Sequence, residues 1–269
     1  GASAPPLREA YQVVVEPRGT LLVADGGRGA GRIVRVDPRT GRRTLVAGDG
    51  GTRFAGAGGP ATRAALGRVT DVALGPDGSI WAIASTRLVR IRGDGRLRVV
   101  HRFAAALGVA VDARGAVWVT DDEGGRLLRL APGSARPTVV ASGFSQPIGV
   151  AATRDGVFVS SGHEGGRVER VAADGTRTAV VGGLALAAFV TDAGDGSLLV
   201  VDHVRHGALG RILRVADGRV TTVSEGAARS LSSAAQGPDG TIYATAFGPP
   251  TLGRIDRATG RLVPLGRAR

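Results

Sequence analysis

The segment GRIVRV at residues 31–36 decides the architecture of this chain, because five further copies of it follow. These copies are TRLVRI at 86–91, GRLLRL at 125–130, GRVERV at 166–171, GRILRV at 210–215 and GRIDRA at 253–258. A short run rich in β-branched, apolar and aromatic residues precedes each copy: LLVA at 21–24, IWAI at 80–83, VWVT at 117–120, VFVS at 157–160, LLVV at 198–201 and IYAT at 242–245. Such runs predict β-strands.

The spacing of the turns predicts how these strands are grouped. The turn glycines Gly78, Gly115, Gly156, Gly196 and Gly240 are separated by 37, 41, 40 and 44 residues. One four-stranded propeller blade takes roughly 40–50 residues, and the chain has no convincing long amphipathic helix. We therefore predict an all-β fold, a six-bladed β-propeller of four-stranded antiparallel blades.

The repeats also predict the domain boundaries. Residues 1–10 are expected to be a flexible N-terminus, and residues 11–269 a single propeller. The blades are expected at approximately 11–48, 69–103, 106–142, 147–183, 187–225 and 229–266. The glycine-rich insertion at 49–68 is predicted to be a surface loop with one helical turn near Ala61 to Ala65, which could be deleted without loss of the fold.

Composition excludes several classes of chemistry. The chain has no cysteine, which rules out disulfides, thiolate chemistry and cysteine-bound zinc. Its longest apolar stretch, at about 180–190, is shorter than the roughly 18 residues of a membrane span, so no membrane insertion is expected. The opening GASAPP at residues 1–6 suggests that a leader was removed. We expect a monomer that is extracellular, periplasmic or at the cell surface.

The net charge of +12 comes from 35 basic residues against 23 acidic ones, and all the basic residues are arginine. The repeated segment contributes two arginines in each copy, which matches the excess. We therefore expect the surplus charge to be spread around the ring, with arginines stacking or pairing between blades. Aromatic residues make up only 4% of the chain, so stacking platforms for single-stranded nucleic acid are scarce. No specific nucleic-acid partner is expected.

The order of glycine-ended turn, β-rich run and GRIxRV segment resembles the NHL repeat over nearly the whole chain. GDGG at 48–51 followed by GGPATRAAL at 58–66 is similar to the inter-blade loop of bacterial NHL-repeat proteins. Related propellers include bacterial kinase sensor domains, peptide-amidating lyases and gluconolactonase-like enzymes, with the seven-bladed streptogramin lyases as more distant relatives. The resemblance implies the fold and not the function.

The residues that carry activity in those relatives are not matched here. Gluconolactonase-like enzymes have a metal-binding glutamate near the start of the chain, but Glu16 lies in a turn expected at the opposite rim. The paired cysteines of the amidating lyases are absent. The adjacent His163 and Glu164 do not reproduce the separated His and Glu of streptogramin lyases. No catalytic residue can therefore be carried over from the resemblance.

Two classes of loop should open on one face of a propeller and form a concave site. The second strands end at Asp25, Ala84, Asp121, Ser161, Asp202 and Ala246. The next positions are Gly26, Ser85, Asp122, Gly162, His203 and Phe247. The loops that enter the innermost strands add Arg68, Asp71, Gln146, Phe189, Arg229 and Ser230.

Carboxylates and imidazoles concentrate in the third to fifth blades, and His206 lies a little further along. The predicted ligand-binding residues are Asp71, Asp121, Asp122, His163, Glu164, Asp202, His203 and Phe247. The catalytic candidates are His163, Asp202 and His203, because imidazole and carboxylate can act as base and acid. The metal candidates are Asp121, Asp202 and His203, with Ca²⁺, Mg²⁺ or Zn²⁺ as the ion.

A structural interpretation competes with these roles. An aspartate at the end of a second strand can accept hydrogen bonds from nearby backbone amides. We favour this interpretation for Asp25 and Asp121.

Two functions remain open from the sequence. The first is a binding module that recognises a small molecule, glycan or peptide at the mouth of the central channel. A sensor or assembly domain cut from a longer protein is a further interpretation. The alternative is a metal-assisted lyase, lactonase or other hydrolase using a His/Asp site on the same face. Because no catalytic set can be transferred, binding is favoured over catalysis.

Overall fold

The computed structural model describes residues 4–26, 29–203, 209–247 and 251–265, and the side chains of His163 and Glu164 lie outside the described residues. Within this part of the chain the regular structure comprises 23 β-strands and a 3-10 turn at Ala61–Arg63. The β-rich runs noted above all become strands, as their composition predicts.

The first three sheets are four-stranded and antiparallel, with strands paired in chain order. The first contains β1 (Ala10–Val15), β2 (Leu21–Asp25), β3 (Arg32–Val36) and β4 (Arg43–Ala47). The second contains β5 (Val69–Leu74), β6 (Ile80–Ala84), β7 (Arg87–Ile91) and β8 (Leu97–Arg102). The third contains β9 (Ala106–Val111), β10 (Val117–Asp121), β11 (Arg126–Leu130) and β12 (Pro137–Ser142).

The next sheet has seven strands, and the last has four. The seven are β13 (Pro147–Thr153), β14 (Gly156–Ser161), β15 (His163–Val171), β16 (Arg177–Asp192), β17 (Leu198–Asp202), β18 (Leu209–Ala216) and β19 (Arg219–Arg229). The last sheet contains β20 (Leu231–Gln236), β21 (Ile242–Ala246), β22 (Thr251–Ile255) and β23 (Leu262–Pro264). The described strands thus form an all-β propeller of antiparallel sheets, but in five sheets and not the predicted six.

The difference lies in β16, which is 16 residues long. Residues 177–186 of this strand pair with β15, and residues 187–192 pair with β17. The chain continues from one partner to the next without a turn, so the segments predicted as the fourth and fifth blades are joined in one sheet.

The innermost strands contact one another around a ring. β1 touches β5 and β20, β9 touches β5 and β13, and β16 touches β13 and β20. Apolar residues fill the seams between neighbouring sheets, as where Leu22 and Ile33 of the first sheet pack with Val72 and Val89 of the second. The ring therefore encloses a channel whose wall is the backbone of the inner strands.

Glycines and hydroxyl groups set the distance between neighbouring inner strands. A Cβ at Gly108 would lie 2.4 Å from the carbonyl oxygen of Ile148. The Thr120 hydroxyl accepts the Gly108 N–H at 2.8 Å and donates to that carbonyl at 2.9 Å. Ser160 bridges Gly149 and the next strand in the same way. These seams are tight because the inner-strand residue has no side chain.

The segment before β1 is held in place, although the sequence predicts a flexible N-terminus over residues 1–10. The backbone N–H groups of Arg8 and Glu9 each donate to Asp25 Oδ1 at 2.8 Å. Ala4 and Leu7 pack against the apolar cluster between the first and last sheets. Residues 4–9 are therefore part of the folded structure.

The insertion at 49–68 differs from the dispensable surface loop that the sequence predicts. The helical turn expected near Ala61 to Ala65 is present at Ala61–Arg63. However, Ala61, Ala64 and Leu66 are at most 1% exposed and belong to the core between the first two sheets. The N–H of Leu97 at the start of β8 donates to the carbonyl of Gly59, and the Gly58 N–H donates to the Leu97 carbonyl. The insertion therefore completes the seam.

The register of the sixth repeat also differs from the sequence alignment. Arg254 lies opposite Tyr243, as Arg35 lies opposite Leu22 in the first sheet. Arg254 therefore corresponds to the second arginine of the repeat, and Thr251 occupies the place of the first. The similarity of VDPRTGR at 36–42 to IDRATGR at 255–261 is the signal that identifies this register.

The positive charge is unevenly distributed, in contrast to the expected even spread. Residues 103–228 carry 12 arginines and 13 acidic residues, whereas the rest of the chain carries 23 arginines and 10 acidic residues. The sheets outside 103–228 are neighbours in the ring, because β20 contacts β1 and β1 contacts β5. The surplus charge therefore lies on one side of the propeller.

None of the described residues form a helix with the length and apolarity that a membrane crossing requires.

Candidate functional site

A cavity of about 380 Å³ lies where the innermost strands begin. Each inner strand contributes its second residue, counted in β16 from Ala187, where the pairing with β17 begins: Tyr11, Thr70, Leu107, Ile148, Ala188 and Ser232. The neighbouring loops and strand ends add Arg68, Asp122, Gln146, Leu186, Phe189, His203, Ser230, Leu231 and Phe247. We call this the mouth cavity. Its wall is largely apolar, with a small number of polar groups, as in most small-molecule sites.

A recurring backbone hydrogen bond brings the two classes of loop together. The N–H that follows each second strand donates to a carbonyl in the loop entering the inner strand. Examples are His203 to Leu186 and Phe247 to Ser230, both at 2.9 Å, and Ser85 to Arg68 at 2.7 Å. This bond explains why residues from both loops converge on one cavity, as the sequence predicts.

Tyr11, Phe247 and Arg68 form an ordered corner of the mouth cavity. The Tyr11 and Phe247 rings meet edge to face, with centroids 4.8 Å apart. The Arg68 guanidinium lies 5.1 Å from the centroid of the Tyr11 ring, and its Nη2 donates to the Tyr11 hydroxyl at 3.3 Å. A Cβ at Gly26 would lie 2.2 Å from Tyr11 Cε2, so glycine at this position lets the ring pack against the backbone.

His203 provides the imidazole of the mouth cavity. Its Nδ1 lies 2.8 Å from the carbonyl oxygen of Leu231. A carbonyl only accepts, so this nitrogen carries the proton. Nε2 of the neutral ring is then the nitrogen that can accept a hydrogen bond from a ligand.

Two cavity residues have strained backbones. Gln146 and Ser230 have φ angles of 50° and 51°, in the left-handed region that L-residues rarely adopt. Each immediately precedes an inner strand, β13 or β20. Strain of this kind costs about 1–3 kcal/mol per residue and is concentrated at functional sites. It supports a role for this end of the channel beyond packing.

Three of the aspartates at the ends of second strands stabilise the scaffold. Asp25, fully buried, accepts from two backbone N–H groups and forms a buried ion pair with Arg32. Asp121 pairs with Arg126 through Nε at 2.9 Å. Asp202 accepts the Ala185 N–H at 2.9 Å and pairs with Arg211 Nε at 2.8 Å. The pairs thus form within a sheet, between the second strand and the first arginine of the repeat, and not between blades.

These contacts alter the interpretation of the predicted catalytic and metal sets. Asp121 and Asp202 are 2% and 1% exposed, so their oxygens are directed to protein partners and not to the mouth cavity. Among the described residues, no group of three or more His, Asp and Glu side chains is arranged to hold a metal ion. His203 lines the cavity without either of these carboxylates in the lining.

Asp71 lies in the channel wall instead of the mouth cavity. It is 1% exposed, and its two oxygens accept the N–H groups of Val72 and Val109, each at 2.7 Å. Burial raises the pKa of this carboxyl from 3.8 to about 7, and hydrogen bonds from both N–H groups and from Gln12 oppose the rise. Asp71 therefore joins β5 to β9 and contributes to the seam between two sheets.

Of the predicted ligand-binding residues, Asp122, His203 and Phe247 line the mouth cavity. Asp71, Asp121 and Asp202 do not line it. The side chains of His163 and Glu164, and the whole of His206, lie outside the described residues.

Sequence reasoning missed most of the apolar wall. Leu107, Ile148 and Leu186 line the mouth cavity, as does Tyr11. The signal that could have found them is their common register near the start of the inner strands. Arg68, Gln146, Phe189 and Ser230, which the sequence places in the entrance loops, also lie in the lining.

No protein-family model and no curated protein matches the chain, but solved structures do. Virginiamycin B lyase from Staphylococcus aureus is 15% identical, with a TM-score of 0.65 over 94% of this chain and 83% of that one. A chain in the crystal structure of a nidogen–laminin complex is 16% identical, with a TM-score of 0.70 and 89% of each chain covered. The PQQ-bound aldose sugar dehydrogenase from Streptomyces coelicolor is 18% identical, with a TM-score of 0.63 over 91% of this chain and 90% of that one. At such low identity these similarities show that the chain has a β-propeller fold.

Proposed function

We propose that this protein is a small-molecule-binding propeller of the NHL type, and that its ligand occupies the mouth cavity. The observation that carries the proposal is the convergence of all the inner strands on one cavity of about 380 Å³. A volume of this size suits a small organic ligand. An apolar wall with a few fixed polar groups suits an amphipathic ligand better than a glycan, which needs many hydrogen-bonding partners.

The proposal includes six blades. In this interpretation the seven-stranded sheet is two blades joined by β16, whose two halves pair with different strands. The ring of contacts among β1, β5, β9, β13, β16 and β20 supports this interpretation, because each of these strands would be the innermost strand of one blade.

Binding is favoured over catalysis because Asp202, one of the predicted catalytic residues, has structural partners. Asp202, the residue before it, uses both oxygens in bonds to backbone N–H groups and to Arg211. Asp202 is therefore not available as an acid or base partner for His203, whose ring is oriented by the Leu231 carbonyl instead. The alternative function as a lyase or hydrolase has no comparable observation in its favour.

Fluorescence titration with the neutral probe N-phenylnaphthylamine tests this function. We expect saturable binding of one probe per chain. Replacing Phe247 by alanine removes one wall of the mouth cavity and should weaken binding by about tenfold, because a buried aromatic contributes roughly 1.5–3 kcal/mol. Phe103→Ala is the matched control, since Phe103 packs beside His101 away from the cavity. Equal affinity in the wild type and both variants, or no saturable binding, would contradict the proposal.

A further inference from the structure

We propose that the ligand of the mouth cavity is an organic anion with an apolar body, and that Arg68 binds its acidic group. This inference rests on the proposed function and names the chemical class of the ligand.

Arg68 is oriented for such a role. Its side chain is exposed and lines the mouth cavity. Stacking on Tyr11 and the bond to the Tyr11 hydroxyl limit its motion, and Tyr11 is itself held between Gly26 and Phe247. A stacked guanidinium keeps a planar fork of donors that matches a carboxylate, sulfonate or phosphate. Little side-chain entropy would then be lost when an anion binds.

The sheet that follows Arg68, with the insertion before it, carries an excess of positive charge. Residues 53–102 contain nine arginines and three aspartates. Of these aspartates, Asp71 is buried in the wall and Asp77 pairs with Arg90.

Two further arginines stand opposite each other on neighbouring strands of the second sheet, which begins directly after Arg68. Arg87 on β7 faces Arg102 on β8. Burial and the charge of Arg102 lower the pKa of Arg87. Arg87 donates to the Ser85 carbonyl and the Ser85 N–H donates to the Arg68 carbonyl, so this positive charge lies beside Arg68 and should attract anions.

The apolar part of the lining, away from the Asp122 carboxylate, defines the body of the ligand. Leu107, Ile148, Leu186 and Phe189 form an apolar wall, and His203 offers an acceptor nitrogen. An inorganic anion would leave this wall exposed to water, and a neutral hydrocarbon would leave Arg68 unused. An anion attached to an aromatic or aliphatic group satisfies both.

Two fluorescent probes measure the contribution of the acidic group to affinity separately from that of the apolar body. Anilinonaphthalene sulfonate and N-phenylnaphthylamine share one aromatic skeleton and differ by the sulfonate. At about 0.15 M salt, where long-range attraction is screened, we expect the wild type to bind the sulfonate more tightly. Arg68→Gln should weaken sulfonate binding by about tenfold or more, since hydrogen bonds to charged groups are the strong ones. It should change the affinity for the neutral probe by less than about twofold.

The matched control is Arg92→Gln, an exposed arginine of the same sheet in the turn at the opposite rim. It should leave both affinities unchanged, and circular dichroism should show both variants folded. If Arg68→Gln and Arg92→Gln weaken sulfonate binding equally, the attraction is general and the inference is wrong. It is also wrong if both probes bind alike and Arg68→Gln affects neither. Loss of the proposed function itself would show differently, because Phe247→Ala would then leave both probes unaffected.

Discussion

Replacing Asp71 by asparagine tests whether a carboxyl in the channel wall keeps its proton at neutral pH. The side chain is 1% exposed, and burial raises its pKa to about 7. In the unfolded chain the same group has its ordinary pKa of 3.8. The two N–H groups that donate to it favour the ionised form, so the experiment measures whether burial or hydrogen bonding dominates.

The magnitude follows from proton linkage. Between pH 3.8 and about 7 the folded protein holds a proton that the unfolded chain has lost, so folding stability falls as pH rises through this window. Each pH unit corresponds to about 1.4 kcal/mol. From pH 5 to pH 7 the free energy of unfolding should therefore decrease by about 2 kcal/mol on account of Asp71, because the group is already half ionised at its folded-state pKa, and by about 3 kcal/mol once pH 8 is reached. Above its folded-state pKa the group is ionised in both states, and the decrease should end.

Urea denaturation of the wild type and Asp71→Asn, at intervals from pH 5 to pH 8, isolates this effect. The difference between the two proteins removes the contributions of all other titratable groups. We expect the wild type to lose about 3 kcal/mol relative to the variant as pH rises. A control, Asp239→Asn, changes an exposed carboxylate whose pKa is lowered by the Thr241 backbone hydrogen bond, so its curve should run parallel to that of the wild type. A constant difference between wild type and Asp71→Asn would refute the reasoning, because Asp71 would then be ionised throughout.

Three further tests concern the scaffold. Asp25→Ala should lower the free energy of unfolding by about 3–5 kcal/mol, because it leaves Arg32 buried without its carboxylate. Asp121→Ala should cost less, about 1–2 kcal/mol, because Arg126 is 44% exposed and can be hydrated. Urea titrations that give equal losses would contradict this ranking. Gly108→Ala should lower the free energy of unfolding by about 1–3 kcal/mol or more, because the added methyl group overpacks a seam. The control Gly182→Ala, with open space around it, should lower it by less than about 1 kcal/mol. Equal melting temperatures of the two variants would show that the seam can relax. Deleting residues 53–64 should abolish cooperative unfolding, since it removes Ala61 and Ala64 from the core; a variant that melts like the parent would show that the insertion is dispensable after all.

The elements that could be predicted from the sequence are the short runs of β-branched, apolar and aromatic residues. IWAI at 80–83 lies in β6 and VWVT at 117–120 lies in β10. The two loop classes that form the mouth could also be predicted, since repeats place equivalent residues at equivalent depths. This is why Asp122, His203 and Phe247 lie in the lining.

The roles of the aspartates could not be predicted with the same success. Asp121 and Asp122 are adjacent residues of the same type, yet the first is paired with Arg126 and the second lines the mouth cavity. The side chains of adjacent residues in an extended segment point to opposite faces. The sequence does not say which of the two faces is covered by an arginine. Asp202 and His203 differ in the same manner.

The sequence by itself determined the strands, their grouping into repeats and the excess of arginine. The tertiary structure decided how β16 joins two repeats, which carboxylates are neutralised and on which side of the ring the surplus charge lies. The physical reason is the sequence separation of the contacts on which each feature depends. Strand formation depends on neighbours within a few residues, whereas the seams and the mouth cavity depend on contacts between residues far apart in the chain, such as Asp71 with Val109 or Arg68 with Tyr11.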